Sequence, residues 1–180
     1  MKHKGTETIE TERLILRRFN PSDAGDMFKN YCSREKVTEY LTWKPYSNVK
    51  QCEEYLLNVT LPKYDKIDTY RWAIVWKENN EVIGCIDVIE SLEDLERAEL
   101  GWVVSDDFWG MGIMPEAGKA VINYLFEVGY SRIQAIHDVD NPKSGRVMEK
   151  IGMSHEGRVR KYCRNREGVL VDCEMWAIVK

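Results

Sequence analysis

Between Ala98 and Val139 the chain reads AELGWVVS, DDFWGMGIM, PEAGKAVINYLFEVGY and then, after Ser131, RIQAIHDV. The first and last pieces are apolar runs of strand length. The middle piece sets Ala117, Val121, Tyr124, Leu125 and Val128 on one helical face, with Gly129 placed as a C-terminal cap. A strand, a helix of this length and a second strand close as a right-handed crossover, so the two strands should be parallel neighbours in one sheet. That single requirement constrains the fold more than any other feature of the chain.

Hairpins and short helices surround the crossover. RLILRRF (13–19) alternates as a first strand. Asn20 and Pro21 then supply an N-cap and a first helical residue, with Ala24, Met27, Phe28 and Tyr31 at helical spacing. A second helix is expected from Ser47 or Asn48, with Val49, Cys52, Tyr55, Leu56 and Val59 on one face and Pro62 ending it. YRWAIVWK and EVIGCIDVIE read as strands joined by the turn ENN. Asn141 and Pro142 start a short helix that Gly152 closes, and final strands at about 154–164 and 170–179 flank NREG. The order is β-α-α-β-β-β-α-β-α-β-β, an α/β (α+β) unit without repeats or linker. The 180 residues suit one domain spanning 1–180, with its core at about 11–179.

Composition narrows the function classes. No apolar run approaches the ~20 residues of a membrane span, and MKHKGTETIE has no signal-peptide core, so a cytoplasmic protein with no membrane partner is the default. The five cysteines are scattered without a C-x-x-C pair, which favours structural thiols in a reducing compartment. His3, His137 and His155 show no metal-ligand spacing, so no metal is expected. The net charge of −4 argues against a nucleic-acid surface and is compatible with a cationic small molecule or peptide. ESLEDLERAE (90–99) holds five acids and one arginine, and RVRKYCRNR (158–166) holds five bases; solvated loops account for both.

The glycines before the central helix admit three phosphate devices. A P-loop needs G-x-x-x-x-G-K-[ST], and no such lysine follows. A dinucleotide fingerprint needs glycine or alanine where GMGIMP places Pro115, and it belongs to a first βα unit. A cradle of backbone N–H groups at the helix start needs no side-chain charge, and Gly110 and Gly112 let a pyrophosphate approach. Spacing alone leaves that cradle and a plain turn both open.

The neighbouring segments resemble the GNAT superfamily of acetyl-coenzyme A dependent N-acetyltransferases, and within it the Rim-type branch of ribosomal-protein α-amino acetyltransferases. The matching pieces are TERLILR, WGMGIMPEA, NPKSGRVMEKIGM and DCEMWAIV, in the branch's order from about Thr11 to the C-terminus. The resemblance implies a mixed central sheet of about seven strands, splayed between two parallel strands and flanked by about four helices. Acetyl-CoA would sit in the gap as co-substrate and give its acetyl group to a primary amine by direct attack. The acceptor would be a protein N-terminal α-amino group, or else a small polyamine, aminoglycoside or amino-acid derivative. A non-catalytic coenzyme A-binding or regulatory module is the rival, and monomer and homodimer are both compatible.

The resemblance also implies roles. Glu99 would be the general base, acting directly or through a water, and Ser144 the acid that protonates the thiolate. Trp109, Gly110, Met111, Gly112, Ile113 and Met114 would form the pyrophosphate loop. Val103 and Val104 would offer backbone amides to the pantetheine and thioester, and Asn141 either caps its helix or binds the pantetheine. Lys119, Lys143 and Arg146 would lie near the adenosine 3′-phosphate, and Trp43 and Trp72 would wall the acceptor pocket. Two departures stand out. Met148 occupies the place of a tyrosine acid found in many members, and Pro115, expected at the first helical position, removes one potential phosphate donor.

Overall fold

A computed structural model covers residues 1–180. Its strands are β1 (Ile9–Glu10), β2 (Leu14–Arg17), β3 (Arg71–Trp76), β4 (Glu81–Leu92), β5 (Arg97–Val104), β6 (Arg132–Asp138), β7 (Ser154–Arg164) and β8 (Leu170–Val179). The α-helices are α1 (Ala24–Met27), α2 (Glu35–Thr38), α3 (Val49–Tyr55), α4 (Ile113–Val128) and α5 (Pro142–Lys150). All eight strands form one sheet in the order β1-β2-β3-β4-β5-β6-β8-β7. Only β5 and β6, joined by the crossover through α4, are parallel; the other neighbours are antiparallel.

That parallel contact is short. Arg97, Ala98 and Glu99 pair with Arg132, Ile133 and Gln134, and the strands then part. β5 stays paired with β4 as far as Val104, and β6 stays paired with β8 as far as Asp138. Two half-sheets therefore diverge from a fork at Glu99, opening the gap that the resemblance implies.

Both faces of the sheet are covered, which is why β3 reads as a continuous apolar run. Trp72 and Ile74 point into one core with Leu14, Leu16, Val121, Leu125 and Ile133. Ala73 and Val75 point into the other, with Met27, Tyr31, Cys52, Leu56 and Val103. The predicted stripe of α4, from Ala117 to Val128, is buried, and Gly129 ends the helix with φ +118°.

Some elements differ from the sequence expectation. The two-residue β1 is too short to show a period. Helices α1 and α3 each run into a widened, π-type turn, at Phe28–Cys32 and at Leu56–Thr60. The second of these rotates Val59 outward to 37% exposure and brings Thr60 inside, so the predicted stripe keeps Cys52 and Leu56 buried but leaves Val49 at 38% exposure. The acidic stretch 90–99 is not a loop. It forms the end of β4, a 3-10 turn at Glu93–Leu95 and the start of β5.

Candidate active site

The fork exposes backbone that a closed sheet would bury. In an antiparallel ladder successive residues turn their N–H and C=O groups to opposite sides. Ser105 N–H donates to Ile83 O across β4 at 2.8 Å, so Val103 also faces β4 while Trp102 and Val104 face the gap. The Val104 carbonyl accepts from the Trp109 indole at 3.1 Å. The polar groups presented to the gap are therefore the Val104 N–H and both backbone groups of Trp102; those of Val103 belong to the sheet.

The glycine loop lies beside them. Gly110 and Gly112 have φ of +80° and +78°, conformations that side-chain-bearing residues rarely adopt. The N–H groups of Gly110, Gly112, Ile113 and Met114 donate to no group of the chain. Four free donors at the start of a sixteen-residue helix make an anion-binding concavity. Helix α4 begins at Ile113, so Pro115 is its third residue and not its first. Its missing N–H falls in the first turn, where no helical bond is due, and the first one present is Glu116 N–H to Gly112 O at 3.1 Å.

A brace holds this loop. Glu116 Oε1 accepts from the Thr11 hydroxyl at 2.6 Å and the Arg13 N–H at 2.9 Å, and its Oε2 accepts from Arg13 Nε at 2.7 Å. Arg13 Nη1 in turn donates to Met111 O at 2.9 Å. Burial would raise the Glu116 pKa, but these donors hold it below the ordinary value. The segments TER and PEA, about a hundred residues apart, are thus one structural device.

Two clefts, of about 720 and 690 Å³, open on either side of the fork. They share Tyr40, Leu41, Trp102, Val103, Asn141 and Ser144, so they form one trench. The first contains Trp109, Gly110, Gly112, Ile113, Met114 and Val104, with Lys143, Arg146 and Lys150 among its lining residues. Lys143 Nζ lies 4.2 Å from the centre of the Trp109 ring. Met111 is 46% exposed and contributes its carbonyl to the brace. Lys119 is exposed on α4 and lines neither cleft, which corrects the expectation that grouped it with Lys143 and Arg146.

The second cleft holds Glu99, which is 6% exposed. Its Oε2 accepts from Gln134 Nε2 at 2.7 Å across the parallel pair. Burial raises its pKa, and the Gln134 donor offsets part of the rise. Of the acids in 90–99, only Glu99 lines the trench. Glu90 pairs with Arg97, and Glu93 with His3. Asn141 Oδ1 caps α5 by accepting from Ser144 N–H at 3.4 Å, and its Nδ2 donates to no group of the chain. Ser144, the third residue of α5, stands where the two clefts meet. Met148 is fully buried in the α4-side core and faces neither cleft.

Trp43 lines the second cleft, its ring tilted 50° against that of Tyr46 with centres 5.5 Å apart. Trp72 does not. It is fully buried on the opposite face, in edge contact with Tyr124, and its indole donates to Glu7 O at 2.7 Å. The cleft also contains residues the sequence did not single out for the site: Arg71 and Asp87, Tyr31, and Tyr162, which sits in the β7 bulge between Val159 and Cys163. No group of three or more His, Cys, Asp or Glu side chains is arranged to hold a metal ion, and no helix is long and apolar enough to cross a membrane.

The fork, the free N–H groups and the two-part trench are those of an acetyltransferase, and the chain belongs to the GNAT family. It matches the family described as Acetyltransferase (GNAT) domain over residues 13–154. It is 31% identical to the uncharacterized N-acetyltransferase YoaA of Bacillus subtilis over 96% of both chains. A GNAT-family acetyltransferase structure from Bacillus anthracis superposes with a TM-score of 0.81 at 26% identity, covering 96% of this chain and 98% of that one. The ribosomal protein uS5-alanine N-acetyltransferase of Escherichia coli is more distant, at 21% identity over 86% of this chain and 81% of that protein.

Proposed function

We propose that the chain is a single-domain enzyme that moves an acetyl group from acetyl-CoA to a primary amine without a covalent enzyme intermediate. The observation that carries this reading is the row of free N–H groups, at Gly110, Gly112, Ile113 and Met114 and at Trp102 and Val104, along one side of a trench whose other end holds Glu99. The loop donors receive the pyrophosphate, with Lys143 and Arg146 placed for the 3′-phosphate. The Asn141 amide NH₂, the Trp102 backbone and the Val104 N–H receive the pantetheine and the thioester oxygen. A donor on that oxygen stabilises developing negative charge and is worth a few kcal/mol in well-studied enzymes.

A primary amine of pKa ~10 is mostly protonated at neutral pH. Glu99 takes that proton, directly or through a water, and its raised pKa suits it to do so. The amine nitrogen then bonds to the acetyl carbonyl carbon and the carbon–sulfur bond breaks. The leaving thiolate takes a proton from the Ser144 hydroxyl, which regains one from the second proton shed by the acylated nitrogen, and the products are an acetamide and free coenzyme A. Met148 lies in the core, so the tyrosine it replaces takes nothing from the trench of this chain.

Two acceptor classes remain within this reading. The Rim-type resemblance and the distant uS5-alanine acetyltransferase support a protein α-amino group. A trench lined by the aromatic side chains of Trp43, Tyr46 and Tyr55 supports a small amine. The test is release of coenzyme A thiol from acetyl-CoA across a panel of peptides and small amines, with the acetylated product identified by mass spectrometry. Amine-dependent release supports transfer. Binding of coenzyme A with no release for any amine would favour a non-catalytic binding module instead.

A further inference from the structure

The acceptor side of the trench contains a charge cluster that the transfer step does not use. Arg71 on β3 and Asp87 on β4 are directly opposite each other, and Arg71 Nη1 donates to Asp87 Oδ2 at 2.9 Å. Their side chains are only 14% and 18% exposed. The guanidinium lies over the rings of Tyr55 and Phe19, at 5.3 and 5.8 Å from their centres. Asp87 engages one of its three nitrogens. Nε is sealed from solvent without an acceptor, Nη2 meets no oxygen acceptor in the chain, and the buried Cys85 thiol is a weak neighbour of the guanidinium. The Tyr31 hydroxyl, on the same floor, is also buried and unpartnered. Lys63 adds a second cation beside the single carboxylate.

An ion pair that served only to join two strands would be expected to match its charges and satisfy its donors, because buried polar groups are seldom left unpaired. Here the β3–β4 side of the floor has more positive charge than negative and donors without acceptors. A planar guanidinium with a free edge is matched to a carboxylate.

The sheet register places this cluster relative to Glu99. Arg71, Asp87 and Gly101 form one row across β3, β4 and β5, and Glu99 precedes Gly101 by two residues on the same face. Two strand spacings across and two residues along separate the Arg71 and Glu99 backbones by about 12 Å. Both side chains extend into that interval, which leaves room for a molecule of amino-acid size to touch both.

We propose that the acceptor carries a carboxylate as well as its amine: Arg71, with Lys63 and the tyrosine hydroxyls beside it, holds the carboxylate while Glu99 takes the proton from the amine. This names an amino-acid-like acceptor with an apolar or aromatic body, which the walls at Trp43, Tyr46 and Tyr55 accommodate. Peptide N-termini and polyamines lack that carboxylate. The proposal rests on the acetyl-transfer reading above.

The test is a matched series with the wild-type enzyme: leucine and phenylalanine, their amides, the corresponding decarboxylated amines, a short peptide with the same first residue, and spermidine. Thiol release and product mass give kcat/KM for each. The free carboxylates should exceed their amides by about tenfold or more, the worth of one charge-assisted hydrogen bond. Arg71→Gln should level that ratio, mainly through KM, and Arg71→Lys should restore part of it. The wild-type ratio decides the matter even if a variant fails to fold. Amides, peptides or spermidine acetylated as well as or better than the carboxylates would overturn the carboxylate site while leaving the transferase standing. Absence of thiol release with every amine would remove both.

Discussion

Replacing Glu99 by glutamine separates catalysis from folding at one position. Glu99 is 6% exposed, and its one side-chain partner is Gln134 Nε2 at 2.7 Å. A glutamine is nearly isosteric, and its Oε1 can accept the same hydrogen bond, so packing and that contact persist. What disappears is the capacity to take a proton. Losing a positioned general base costs about 10²–10⁴-fold in rate, or roughly 3–5.5 kcal/mol of barrier. Stability should move the other way. Burial raises the pKa of Glu99 in the folded chain, so its contribution to stability is fully present below the unfolded carboxylate pKa and is lost as pH rises through the folded value. At neutral pH the ionised group burdens the fold, and Glu99→Gln should melt at the wild-type Tm or above it. The assays are kcat/KM against pH and thermal melts at pH 7–8. Wild-type activity should fall on an acid limb displaced above the ordinary carboxylate range, and the variant should lack that limb. Full activity with an unchanged acid limb would refute the base assignment. A Tm drop as large as that of a core truncation would show that the charged form is structural.

Three further outcomes follow from the same geometry. Arg13→Ala or Glu116→Gln should weaken coenzyme A binding several-fold by calorimetry, because the Met111 carbonyl loses its anchor. Glu116 is held below its ordinary pKa, so the Tm deficit of Glu116→Gln should be full at neutral pH and shrink as acid protonates the wild-type carboxylate; a deficit independent of pH would contradict the brace. Pro115→Thr should tighten coenzyme A binding by adding an N–H to the first turn of α4, and unchanged or weaker affinity would count against the cradle. Of five free cysteines, four are buried and Cys163 is half-buried, and burial pushes the Cys85 and Cys173 thiols up to about 12. A thiol reagent should therefore modify at most Cys163 quickly in the native protein and all five after denaturation, whereas several fast thiols would show an open core.

How much of this was legible in the sequence depended on the range of the interaction involved. The α4 stripe, the final hairpin and the parallel crossover were readable because each is fixed by local period and cap residues. The stripe of α3 was only half right because a widened turn, invisible to a 3.6-residue period, exchanged Val59 for Thr60. Trp72 is placed at the acceptor pocket by the resemblance alone, and β3 is apolar on both faces, so alternation gives no sign of which face meets the cleft. Val103 and Trp102 could not be ranked as backbone donors without the β4–β5 register, since one residue of register reverses the direction of every N–H. The Arg71–Asp87 pair had no sequence signal at all, because it exists only through that same pairing of strands. The acidic stretch reads as a solvated loop, yet it is strand and turn: Glu90 pairs with Arg97, Glu93 with His3, and only Glu99 enters the trench.

The most direct test of the account is calorimetric titration with coenzyme A of the wild-type chain and of Gly112→Val, each verified as folded by circular dichroism. Gly112 holds φ +78°, where a β-branched residue is a true outlier, so the variant loop must abandon the conformation that gathers its N–H groups. The account predicts saturable binding at a single site in the wild type and loss of most of that affinity in the variant. Absence of saturable binding in the wild type, or equal affinity in the two proteins, would contradict the claim that this glycine loop at the forked sheet is the coenzyme A site.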